Sequence, residues 1–142
     1  MKGVIFALGL IFSTGTLAHG GGHGPGVSHL TFANGAIHAH ASWIVGPQGP
    51  QESLLRIEWK NGADHSATVP PGPFEVVLWM PSMGHGSAPT SVLELVDAKG
   101  QPILGSYDVK NIFFLMSGHW DVNVTLTFQD RTKETKTIKV EL

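Results

Sequence analysis

From Ile37 to Leu142 the chain alternates apolar and polar side chains with a period of two, the mark of strands that bury one face. In IHAHASWIV, Ile37, Ala39, Ala41, Trp43 and Val45 share one face, and His38, His40 and Ser42 share the other. SLLRIEWK sets Leu55, Ile57 and Trp59 against Leu54, Arg56 and Glu58, and the following NGADH (Asn61 to His65) carries an Asn-Gly turn signal. FEVVLWM (Phe74 to Met80) comes after a run of prolines. Thr90 to Leu104 reads as a strand, a turn at Lys99-Gly100 and a short continuation, with the next strand over Tyr107 to Met116. The clearest alternation is WDVNVTLTF. It turns Trp120, Val122, Val124, Leu126 and Phe128 inward and Asp121, Asn123, Thr125 and Thr127 outward. TKTIKVEL closes the chain. This makes about seven strands at spacings of roughly 8–15 residues, with turn residues between them. No segment shows a helical period. The expected fold is all-β, an antiparallel immunoglobulin-like β-sandwich of two layers.

The N-terminus breaks this pattern. Lys2 precedes an apolar run, Val4 to Phe12, that is short for a membrane span, and Thr16 and Ala18 supply the small residues of a cleavage site. Residues 1–18 are therefore expected to be a signal peptide, which places the protein in the periplasm or otherwise outside the cytoplasm. No stable membrane insertion is expected after cleavage. Residues 19–29, rich in glycine and histidine, read as a flexible tail, and residues 30–142 as the sandwich domain. There is no cysteine. Stability must then come from a hydrophobic core rather than disulfides, and methionine is the one soft metal ligand on offer. Formal net charge is −2, without a basic patch, which argues against nucleic acid as a partner.

Apart from Met1, the methionines are Met80, Met83 and Met116. Met80 shares a face with Phe74, Val76 and Leu78 and reads as core. Met83 follows Pro81 and lies between Ser82 and Gly84, where no strand period continues. Gly84 allows the backbone to bend so that Met83 and His85 converge. In MSGHW, Ser117-Gly118 reads as a tight hairpin turn flanked by Met116 and His119. Sandwich loops cluster at the two ends of the fold. If these two loops share an end, Met83, His85, Met116 and His119 bring together two thioethers and two imidazoles.

Thioethers are soft, neutral ligands suited to Cu(I), and imidazole suits copper in either oxidation state. Four neutral ligands leave a monovalent ion with a single charge to bury, which costs less than burying a divalent one. Zinc would favour thiolate or carboxylate help, and calcium or magnesium an oxygen cage. The expected cofactor is thus copper, as Cu(I). A secondary metal candidate is His19, the first residue after cleavage, whose amine and imidazole can chelate one ion with His23 or His29 as a further ligand. The plainer reading is a His/Gly tail that takes up divalent metal weakly. His38 and His40 project from one strand face as an i, i+2 pair that can chelate a metal, although most such pairs face solvent, and His65 is expected to be exposed on its turn. There is no nucleophile elbow, paired acid and base, or phosphate loop, so the reading is non-enzymatic.

MPSMGHG and the downstream Tyr107, Phe114, Met116, Gly118, Trp120, Val122 and Val124 resemble the YtkA-like/FixH-like family of exported β-sandwich domains. The likeness covers about Pro73 to Phe128. It implies an immunoglobulin-like sandwich tied to copper handling near respiratory oxidase assembly. His119 lies outside the matching positions and rests on chemistry alone. The expected function is an exported copper-binding protein that buffers Cu(I) or passes it to an envelope or respiratory partner. The alternative is a sandwich that docks a partner protein through the same loops without metal.

Overall fold

The computed structural model describes residues 26–142, where the chain forms nine strands. They are β1 (Ser28–Phe32), β2 (Ile37–Val45), β3 (Glu52–Asn61), β4 (Phe74–Met80), β5 (His85–Gly86), β6 (Ser91–Val96), β7 (Pro102–Phe113), β8 (His119–Thr127) and β9 (Lys133–Glu141). The first sheet has the order β1-β2-β3-β7-β6 and the second β5-β4-β8-β9, with every pairing antiparallel. The fold is an all-β, two-layer antiparallel sandwich of immunoglobulin-like architecture. Among the described residues no helix is long and apolar enough to cross a membrane.

The period-two alternation decides which faces meet. Leu55, Ile57 and Trp59 of β3 and Val122, Val124 and Leu126 of β8 are fully buried, while their polar neighbours face outward. Aromatic rings bridge the layers. Trp59 packs on Phe74 at 5.1 Å between centroids, Phe74 on Tyr107 at 5.1 Å, and Phe114 on Trp120 at 5.6 Å. Each large apolar side chain hidden in this way contributes about 1.5–3 kcal/mol.

Several details depart from the sequence reading. β1 lies partly inside the segment assigned to the tail. It is short, but Leu30 and Phe32 both bury and pair with Ala39 and Ile37 of β2, so the ordered chain starts before residue 30. His29 is therefore a strand residue. β7 runs unbroken from Pro102 to Phe113, because Ser106 pairs with Glu58 and carries the ladder through a segment without apolar signal. A register shift between Trp43 and Val45 turns Val45 outward. The expected hairpin at Ser117-Gly118 is instead a crossover, since β7 belongs to the first sheet and β8 to the second. The signal peptide, His19 and His23 lie outside the described residues.

Candidate metal centres

The antiparallel order sends the C-terminal ends of β2, β4 and β7 and the start of β8 to one end of the sandwich. The two methionine-histidine loops meet there. After Met80 the chain turns tightly, with the Met83 and Gly84 amides donating to the Met80 carbonyl at 3.2 and 3.0 Å. Gly84 adopts φ +63°, a left-handed conformation that costs glycine little. The turn brings His85 into register opposite Met80. Ser87 Oγ donates to the Phe113 carbonyl at 2.8 Å and ties this loop to the end of β7.

Trp120 joins the two loops from below. Its buried ring lies 6.5 Å from the His85 ring, and its indole N–H donates to the Met116 carbonyl at 2.9 Å. Met80 is core, only 4% exposed, with its methyl carbon 3.1 Å from where a Cβ on Gly118 would stand. Met83 and Met116 remain open at 56% and 37% exposure. His85 Nδ1 is 3.0 Å from the Gly86 carbonyl. A carbonyl can only accept, so Nδ1 is the donor in this contact, and in the neutral ring Nε2 is the nitrogen that would carry the lone pair.

His119 does not join them, and this corrects the expected ligand set. Strand alternation puts it on the opposite face from Trp120. Its Nδ1 lies 2.9 Å from Glu141 Oε2 and its Nε2 3.2 Å from Asp121 Oδ1, so carboxylates occupy both nitrogens. Lys139 donates to the same Asp121 oxygen at 2.7 Å, and this hydrogen bond holds the Asp121 carboxyl below its usual range. His119 belongs to a surface hydrogen-bond network with Asp121, Glu141 and, through Asp121, Lys139.

The opposite end holds a cluster in which the His38/His40 pair, read from the sequence as able to chelate but mostly solvent-facing, gains a third member, His65. His38, His40 and His65 each offer a ring nitrogen within 4.8 Å of the others, the one such histidine or carboxylate group among the described residues. β2 supplies His38 and His40 on its outer face. The turn after β3 supplies His65. This turn is tightly specified. Asn61 Oδ1 accepts from the Ala63 amide at 2.8 Å, the His65 amide donates to the Asn61 carbonyl at 2.9 Å, and Asp64 Oδ1 accepts from the Ser66 amide at 3.0 Å. His65 takes φ +58°, a left-handed conformation uncommon for a residue with a Cβ.

Gly62 lets the turn approach β2. Its amide donates to the Ala36 carbonyl at 2.8 Å, and a Cβ on Gly62 would collide with the Gly35 carbonyl. The His65 ring then meets the His38 ring at 5.3 Å between centroids. Across β1, His29 packs edge-on against His40 at 4.4 Å. Burial, and then the neighbouring His29, push the His40 imidazole below its ordinary pKa, which favours the neutral, ligating form. Lys60 and Glu58 stand opposite His38 and His40 in register. The link to His65 was invisible in the sequence without the register. A pairing of Ile37 with Asn61 carries the residues after Asn61 to the start of β2.

No protein-family model matches the chain, and no curated protein or solved structure matches it significantly.

Proposed function

We propose that the protein is an exported copper-binding domain that holds Cu(I) at the methionine-histidine end of the sandwich and buffers it or hands it to a partner. The ligands in this reading are Met83, His85 and Met116, over a floor of Met80 and Trp120. The observation that carries it is the meeting of the two loops. Trp120 touches both, packing near His85 and donating to the Met116 backbone. Two neutral thioethers and one imidazole with a free Nε2 form a soft set with little charge to compensate. Open thioethers exchange ligands readily, which suits transfer. The motif likeness to YtkA-like/FixH-like domains points the same way.

The test is anaerobic Cu(I) titration of the protein against a competing chelator. About one equivalent is expected at this end. The Met83→Leu, Met116→Leu double variant keeps side-chain volume and removes both sulfurs, and its Cu(I) affinity should collapse. Unchanged affinity in that variant would refute the assignment. Purified protein that takes up no copper yet forms a stable complex with an envelope protein would favour the docking alternative.

A further inference from the structure

We propose a second metal site, separate from the methionine end, in which His38, His40 and His65 bind a divalent borderline cation, Cu(II) or Zn(II), on the outer face of the first sheet. Three imidazoles whose nitrogens already lie within 4.8 Å of one another need little rearrangement to point at a common ion. Strand β2 supplies two of them at i, i+2. The third comes from a turn whose conformation is paid for in backbone strain at His65, and such strain collects at ligand clamps. The rigidity of this turn comes from Asn61, Asp64 and the Gly62 contact with the Gly35–Ala36 backbone.

The donor set and its setting select the ion. Three nitrogen ligands with the remaining positions open to water suit zinc and copper(II), and the general affinity order puts copper(II) above zinc. No thioether is in the group, so Cu(I) loses its advantage here. The site also stays in contact with water, with His65 exposed and His38 and His40 half-buried. A dication there keeps part of its hydration and avoids the cost of full burial. The adjoining Lys60 and Glu58 pair with each other at 3.9 Å, and the carboxylate of Asp64 next to His65 adds one negative charge that favours a cation. This site stands whether or not the methionine end binds copper.

The experiment is titration of the full chain carrying His19→Ala and His23→Ala with Zn(II), and with Co(II) as an optical probe. One equivalent of Zn(II) should bind, and Co(II) should give the intense visible absorption of a four- or five-coordinate nitrogen site. His38→Ala and His65→Asn should each weaken Zn(II) by about tenfold or more. Asparagine tolerates the left-handed turn, so His65→Asn removes the imidazole without removing the fold. Melting in chelator should be the same as for the parent. In the unsubstituted rings, Zn(II) should shift the imidazole resonances of His38, His40 and His65 while leaving His85 unmoved. Absence of stoichiometric Zn(II) binding would overturn the proposal. So would retention of parental affinity in both variants, or loss of binding in His85→Ala.

Discussion

The two ends of the sandwich carry donors of different kinds on foundations of different kinds. At one end, Met83, His85 and Met116 lie on two loops that Trp120 links, and Trp120 and Met80 belong to the core, 1% and 4% exposed. At the other, His38, His40 and His65 stand on the outer face of a sheet and are held by turn hydrogen bonds and one close backbone contact. The first region is soft and backed by apolar side chains, so any ion it held would be favoured by carrying little charge. The second is nitrogen-rich and wet, so a dication held there would keep part of its hydration. A domain with both would separate two oxidation states of one metal, or two metals, by the length of its strands.

The largest effect should fall on the core-backed end. Trp120→Ala removes a fully buried indole and should cost about 3–5 kcal/mol in denaturant unfolding. The paired substitution His38→Ala with His65→Asn should cost less than about 1 kcal/mol in metal-free protein, because half-exposed side chains leave no cavity. Equal costs at the two ends would break the contrast. Next is Met80. Met80→Ala should cost about 2–5 kcal/mol, whereas Met80→Leu should cost under about 1.5 kcal/mol and retain Cu(I) affinity. A loss of Cu(I) in Met80→Leu would promote Met80 from floor to ligand.

Gly62→Ala probes the histidine end through its backbone. The added methyl drives the turn away from the Gly35 carbonyl, at a cost of about 1–3 kcal/mol. It should weaken Zn(II) binding and leave Cu(I) binding unaltered, as two separate titrations would show. The smallest effect concerns acid. Glu134 Oε2 accepts from the Ala33 amide at 2.9 Å, and this bond is the main reason its carboxyl titrates below the ordinary value of 4.5. A depressed carboxyl stabilises the fold above its unfolded pKa, and that contribution is lost as pH falls through the lowered native one. Glu134→Gln should therefore flatten the acid limb of the stability curve below about pH 4.5 by less than about 1 kcal/mol. The change should be seen by melting at pH 3 to 5 near the β1–β2 turn that borders the histidine end.

Much of the architecture was legible. The alternation in SLLRIEWK, FEVVLWM and WDVNVTLTF named the buried faces of β3, β4 and β8 correctly, including Met80, because a half-buried strand must repeat every two residues. β1 was missed because SHLTF is brief and abuts a glycine-rich run, so its two apolar residues were too few to show a period. The methionine loops stood out through composition, as apolar residues in stretches without strand period. His119 was drawn into that set by its spacing beside Met116, although the alternation that turns Trp120 inward already turns His119 outward, where Glu141 of β9 meets it.

Local sequence alone determined the faces of β3, β4 and β8, the turns at Asn61-Gly62 and Lys99-Gly100, and the unusual placing of Met83 and His85. These follow from backbone geometry and burial within a few residues. Only the tertiary structure decided which distant residues meet. The pairing of β2 with β3 folds the Asn61–Ser66 turn onto His38, and the assignment of β7 and β8 to different sheets sets Trp120 between the two methionine loops. Register and sheet membership depend on how the whole set of apolar faces packs together, and no short stretch of the chain carries that information.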